Sequence, residues 1–334
     1  VDGRRRVLFF LIASGSLVLF SFLSLTTGPY EINGGDITRG IIAFFTSQPG
    51  VKTGVRIVSD LRLPRLILAI VAGGSLSVCG SVFQTVLGNP LADPYILGVS
   101  GGAAVGALFY FLLPGVAGAG LGLPFLAFGG AAITSFGVFA LSGVSGKRSR
   151  GRLILTGVIV GAFMNAIILL LISLTPPGKL PGALFWLMGD LSGATSRSLL
   201  ILIPVVTVSI AALLILSRGL DVMLLGDEGA MQSGIEIEKF KSLVFLVASL
   251  LTGAVVSISG LIGFVGLIIP HMVRTFTGSL HRRVIPGSFI VGSSFLVVSD
   301  LLARSVRETG TLPIGVVTAI FGAPFFIYIL RRRL

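Results

Sequence analysis

Residues 64–87 read PRLILAIVAGGSLSVCGSVFQTVL, and this stretch decides the fold. After Arg65 it carries no Asp, Glu, Lys, Arg or His. A helix rises 1.5 Å per residue, so about 20 such residues cross a hydrocarbon core of about 30 Å. Its small residues Gly73, Ser77 and Ser81 recur every fourth position. That spacing lets helix backbones approach closely where lipid supplies no hydrophobic drive between helices.

The pattern continues along the chain. Of 334 residues 54% are hydrophobic and only 11% charged, with a mean hydropathy of +1.02. A soluble domain carries roughly a quarter of its residues as charges, so most of this surface meets lipid. The spacing predicts spans at 7–27, 64–87, 95–113, 123–143, 153–174, 199–217, 242–261, 264–278, 285–303 and 314–330, the eighth short and interrupted by Pro270. Residues 36–47 are too short to span and read as an interfacial helix. The first run follows Arg4–Arg6, and its length and the lack of a small-residue cleavage site make it a retained span. The expected fold is therefore all-α: one polytopic membrane domain over residues 1–334, with about ten transmembrane helices.

The net charge of +12 does not point to nucleic acid, because the basic residues sit in short clusters between apolar runs. Counting them orients the chain. With the N-terminus in the cytoplasm, Arg4–Arg6, Lys147, Arg148, Arg150, Arg152, Arg218, Lys239, Lys241, Arg274, Arg282, Arg283 and Arg331–Arg333 fall inside, sixteen of the 25. Both termini are then cytoplasmic, which requires an even number of spans. Against this trend Arg56, Arg62, Arg65, Arg304 and Arg307 fall outside, Arg62 and Arg65 flanking Pro64. A basic outer rim suits an anionic substrate or an acidic docking partner.

The loop RGLDVMLLGDEGAMQSGIEIEKFK, residues 218–241, joins the sixth and seventh spans. Apolar residues ending in Leu224 and Leu225 precede Gly226, then Asp227, Glu228 and Ala230. Gly234 opens a second short amphipathic stretch. Two short surface helices joined by glycine suit insertion into a partner's groove, and acidic residues belong at the start of a helix.

Intramembrane carboxylates, the mark of ion-coupled transport, are nearly absent. Asp60 and Asp93 lie at span ends. Asp300 stands one turn before Arg304, where an ion pair is expected. A secondary transporter or channel is thus the weaker alternative. No Walker phosphate loop occurs, so this polypeptide is not expected to hydrolyse ATP itself, and if it pumps, its energy comes from another subunit. Cys79 reads as a small buried hydrophobe. His271 and His281 are too scattered to form an enzyme site, and His271 reads as structural. The chain itself is expected to hold no cofactor or metal.

The segment LRLPRLILAIVAGGSLSVCGSVFQTVLGNPLADPYILGVSGGAAVGA (61–107) resembles permeases for iron-siderophore, haem and vitamin B12 uptake, the type II ABC importers. GLIGFVGLIIPHMVR (260–274), HRRVIPG (281–287) and LPIGVVTAIFGAPFFIYILRRR (312–333) resemble them too. The resemblance implies a vitamin B12 permease-like bundle. It would act as a homodimer in the cytoplasmic (inner) membrane of a bacterium or archaeon, with two ABC ATPase subunits carrying ATP and Mg, and a substrate-binding protein above. Arg62, Arg65 and Arg304 look like the arginines that meet glutamates of the binding protein. Asn89 and Leu91 look like cytoplasmic gate residues, with Arg150 and Gly151 at its second part, where the vitamin B12 permease has small hydroxyl residues. The loop at 221–238, with Asp221, Leu224, Leu225, Gly226, Asp227, Glu228, Ala230 and Gly234, looks like the ATPase-coupling helices. The chelate itself is not named by the sequence.

Overall fold

The computed structural model describes residues 3–28, 30–46, 52–113, 122–143, 150–226, 236–306 and 311–331. Through them run α1 (Gly3–Thr26), α2 (Gly34–Thr46), α3 (Leu63–Val86), α4 (Val99–Leu112), α5 (Gly122–Ser142) and α6 (Arg150–Leu174). The short α7 (Leu180–Leu187) follows, then α8 (Ser196–Ile215), α9 (Ser217–Met223), α10 (Ile237–Ser259), α11 (Val265–Thr277), α12 (His281–Ser305) and α13 (Ile314–Arg331). A helical turn, Thr53–Arg56, and a π-helical stretch, Ile57–Arg62, lead without a break into α3.

Among the described residues seven helices are long and apolar enough to cross a membrane: α1, the Thr53–Val86 rod containing α3, α5, α6, α8, α10 and α12. The shorter apolar helices α4 and α13 and the 13-residue α11 fall where the sequence reading placed its other three runs. The stretch expected at the interface forms α2. The sequence reading did not separate α7 from its flanks, nor the π-helical lead into α3.

α3 is the axis of the bundle. Its apolar window is 89% buried, against 11% for α1 and for α6. It is enclosed by α10, α11, α12 and α8, and glycines set the distances. A Cβ at Gly73 would lie 2.3 Å from the carbonyl oxygen of Gly292 on α12, and one at Gly80 would lie 1.9 Å from that of Gly266 on α11. A second seam joins α4 to α5, where a Cβ at Gly106 would lie 2.0 Å from the Leu126 carbonyl oxygen. The fourfold small-residue spacing therefore marks helix crossings. Cys79 is fully buried on α3, as expected.

The chain breaks between α10 and α11, over Gly260–Phe264, with Gly260 at φ +66° and Phe264 at φ +70°. Irregular backbone at membrane depth persists only where its polar groups are satisfied inside the protein. The Tyr95 hydroxyl accepts from the Ile262 N–H at 2.7 Å and donates to the Ile262 carbonyl at 2.8 Å. The Asp190 N–H donates to the Ser259 carbonyl at 2.9 Å, and the Ile314 and Gly315 N–H groups donate to the carbonyls of Gly189 and Met188. The ends of α7, α10 and α13 thus satisfy one another at a single junction.

Gly80→Ala is expected to cost about 1–3 kcal/mol, because the added methyl meets backbone that cannot rotate away. The thermal midpoint of the detergent-purified protein should fall. It should stay unchanged for Gly129→Ala, whose Cβ meets nothing within 4 Å.

Candidate functional site

α3 and α12 run antiparallel, so residues near Arg62 and Arg304 share one end of the bundle and those near Val86 and His281 share the other. The sequence reading put Arg62, Arg65 and Arg304 on an open rim. The structure gathers them but turns them inward. Arg62 is only 7% exposed. Its Nη1 donates to the carbonyls of Leu25 at 2.6 Å and Thr26 at 3.1 Å, and its Nη2 donates to that of Tyr30 at 2.7 Å. The cause is the end of α1, whose last carbonyls have no partner within the helix; a guanidinium there satisfies them and complements the helix dipole. Gly28 makes room, since a Cβ there would fall 2.5 Å from Nη2.

The other two arginines share one carboxylate. Arg65 Nε lies 2.7 Å from Asp300 Oδ1 and Arg304 Nε lies 3.0 Å from Asp300 Oδ2. Arg304 Nη2 also donates to Ser24 Oγ at 2.8 Å. Asp300 is 1% exposed, and the side chains of Arg65 and Arg304 are 13% and 12% exposed. The expected pairing of Asp300 with Arg304 is present, and Arg65 joins it. Two cations around one anion leave a net positive charge just beneath the surface. Arg56, by contrast, stands well out, 68% exposed beside Asp60; Arg307 lies outside the described residues.

At the opposite end α3 runs into the turn GNPLADP. Gly88 adopts φ +59°, and the Asn89 side chain accepts from the Leu91 N–H at 2.9 Å, an Asx turn that fixes the bend. Leu91 is 41% exposed. Gly151 sits in the first turn of α6, where a Cβ would meet nothing within 4 Å, and the Arg150 side chain lies outside the described residues. Beyond the turn the Asp93 side chain caps the 3₁₀ turn Pro94–Leu97 by accepting from the Tyr95 N–H.

Beside this turn lies α9, the first of the two short helices expected in the loop. It ends at Met223 and is followed by Leu224 and Leu225, 46% and 73% exposed, before Gly226 at φ +91°. Asp227, Glu228, Ala230 and Gly234 lie outside the described residues. Asp221, read from the sequence as a residue facing a partner, points inward instead. Its Oδ1 accepts from the backbone N–H of His281 and lies 2.7 Å from His281 Nδ1. The fully buried ring then meets Thr85 Oγ1 through Nε2 at 2.8 Å. Next to it Arg274 donates to the Gln84 side-chain oxygen and, at 3.1 Å, to the Ser81 carbonyl. Gln84 donates to the Leu267 carbonyl at 3.1 Å. Gln84, Thr85, Gly88, Pro90, Met223, Leu224 and Arg274 line a partly polar cavity of about 280 Å³.

His281, Thr85, Gln84 and Arg274 were not assigned functional roles from the sequence. The signal available was their chemistry: a histidine and an arginine near span ends in a chain with two histidines. Their partners are 60 to 196 residues away, as in His281 with Asp221 and with Thr85.

Breaking the arginine cluster should be costly, because an unpaired buried charge remains. Asp300→Ala is expected to destabilise by about 3–5 kcal/mol and Ser24→Ala by about 1 kcal/mol, both read from thermal unfolding in detergent.

A model of the FecCD transport family matches residues 16–332. The cobalamin import system permease BtuC of Halobacterium salinarum is 41% identical over 282 residues, covering 84% of this chain and 75% of that protein. The Fe(3+) dicitrate transport system permease FecC of Escherichia coli is 32% identical over 329 residues, 98% of each chain. A solved structure of a metal-chelate type ABC transporter in an inward-facing conformation superposes with a TM-score of 0.82 at 29% identity, over 97% of this chain and 99% of that one. The PsaBC structure of Streptococcus pneumoniae shares the fold alone, at 15% identity and a TM-score of 0.56, over 87% of this chain and 94% of that one. With the family pattern matched from residue 16 to residue 332 and a fold shared over 97% of its length, the chain belongs to the FecCD transport family.

Proposed function

We propose that this chain is the membrane-spanning permease of an ATP-driven importer for a preformed metal chelate, working as a homodimer with two ABC ATPase subunits and a substrate-binding protein. The observation that carries the reading is the tip of α9. Leu224 and Leu225 project from a helix that Asp221 anchors to the body. An exposed apolar pair held rigidly beside a water-facing loop calls for a partner. An ATPase groove that receives Leu224, Leu225 and the residues after Gly226, among them Asp227, Glu228, Ala230 and Gly234, meets that need.

The other parts take complementary roles. The arginine end faces outward and receives the binding protein. Arg65 and Arg304, which keep an exposed edge over their shared carboxylate, meet its acidic residues, and Arg62 holds the rim in place. The α6 face bearing Leu155, Ile159, Phe163 and Leu170 is exposed, as is the α13 face bearing Ile320 and Phe321; both suit the second copy and the pathway between copies. Asn89 and Leu91, with Arg150 and Gly151 from α6, form the gate on the cytoplasmic side, where both termini also lie. The relatives' cargoes, cobalamin and ferric dicitrate, share one class, a preformed metal complex. An apolar, glycine-rich wall passes such a cargo without trapping it.

Two outcomes are expected. Leu225→Asp should abolish co-purification with the ATPase subunits while leaving the permease's elution volume in detergent unchanged; full co-purification would count against the α9 tip as their contact. Charge reversal of Arg65 to Glu should weaken binding-protein association at low salt by about tenfold, and an unchanged affinity would remove Arg65 from that interface.

A further inference from the structure

One imidazole joins three helices at the loop end of the bundle. Asp221 Oδ1 takes both the backbone N–H and Nδ1 of His281, so α9 is fastened to the first residue of α12 through a single carboxylate oxygen. Nε2 of the same ring reaches Thr85 Oγ1 in the last turn of α3. From there the connection runs on in the backbone. The Thr85 carbonyl accepts from the Gly88 N–H at 3.2 Å, and the Gln84 carbonyl accepts from the Asn89 N–H at 3.1 Å. A continuous hydrogen-bonded chain therefore runs from α9 to the turn that carries Asn89 and Leu91.

The proton inventory gives this chain two settings. A carboxylate at Nδ1 fixes the ring proton there, so Nε2 of the neutral ring accepts from the Thr85 hydroxyl. That hydroxyl has a second acceptor in reach, the Ser81 carbonyl of its own helix at 3.0 Å. If α9 draws His281 away, the hydroxyl returns to Ser81 and no buried donor is left unpaired. Such an exchange keeps the threonine donor paired in both arrangements and avoids the penalty of an orphaned hydroxyl, a property that suits a switching contact. Space is available as well. The 280 Å³ cavity separates Met223 and Leu224 on one wall from Gly88 and Pro90 on the other, so the junction is not close-packed and its walls can move relative to each other. On the far side Arg274 and Gln84 tether the same turn of α3 to α11, which makes that turn a pivot.

We propose that Asp221, His281 and Thr85 form the link by which displacement of α9 resets the gate turn at Asn89 and Leu91, with His281 as the positioning residue. The proposal rests on the reading of the 218–241 loop as the ATPase contact, and it adds the internal route.

The test uses the permease co-purified with its ATPase subunits and carrying Leu91→Cys. The native Cys79 is fully buried, so a water-soluble maleimide reports on position 91. Its labelling rate is compared without nucleotide and with ATP plus vanadate. The nucleotide-dependent rate ratio should fall about tenfold towards unity with Thr85→Val or His281→Gln, the scale of one hydrogen bond to a charge-assisted partner. ATP hydrolysis should continue, and Thr85→Ser should restore the ratio. A ratio unchanged by both substitutions, or lost with Thr85→Val and not recovered with Thr85→Ser, would overturn the link. A ratio of one already in the Leu91→Cys parent would instead overturn the ATPase-contact reading beneath it. Those two failures are distinct.

Discussion

Inside a bilayer no water satisfies a stray backbone group, and no hydrophobic effect pulls one helix towards another. The structure answers both demands through α3. Glycines at 73 and 80 bring it within backbone contact of α12 and α11, so dispersion over a close interface replaces hydrophobic drive. Two of its hydroxyl residues turn onto its own backbone, Ser81 onto the Val78 carbonyl and Thr85 onto that of Ser81. The result is a buried column whose position is fixed along most of its length. Its charge sits at one end, on Arg65, and its amide and threonine contacts with other helices sit at the other, on Gln84 and Thr85.

Those ends are built differently, and the difference suits vectorial transport. Where α3 begins, Arg62 and Arg65 are locked to the end of α1 and to Asp300. This is a net-positive cluster tied down by ion pairs and by hydrogen bonds to the end of α1, stiff and suited to receiving a partner. Where α3 ends, the contacts are a hydroxyl and an amide that line a cavity, with a buried imidazole behind them, and the hydroxyl has an alternative acceptor. A stiff receiving end and a pliant gating end, joined by one column, fit a protein that takes cargo from one partner and energy from another. Asp300, the carboxylate buried in α12, is held by two arginines and does not stand free for ion coupling.

The sequence made the spans legible because bilayer thickness imposes a length and composition that any helix must meet. It made the helix crossings legible through the spacing of Gly73, Ser77 and Ser81. It misdirected on side-chain orientation. Arg62 and Asp221 look exposed when judged by neighbours in sequence, since both fall near span ends where charge is expected in water. Their true partners are the carbonyls of α1, 36 and 37 residues away, and an imidazole 60 residues away. The need those carbonyls have for a donor arises only once α1 ends beside α3. The tie between Tyr95 and Ile262 was hidden for the same reason, as it depends on a break in the helices whose location tertiary packing decides.

The central claim is that this bundle moves a metal chelate only when an ATPase drives it. Its most direct measurement is uptake of radiolabelled ferric dicitrate and of cobalamin into proteoliposomes holding the permease, its ATPase subunits and its binding protein, with and without ATP inside the ATPase-facing compartment. The account predicts uptake of at least one of these chelates that requires ATP, the ATPase subunits and the binding protein together. Uptake by the permease alone, driven by a proton or sodium gradient, would contradict it.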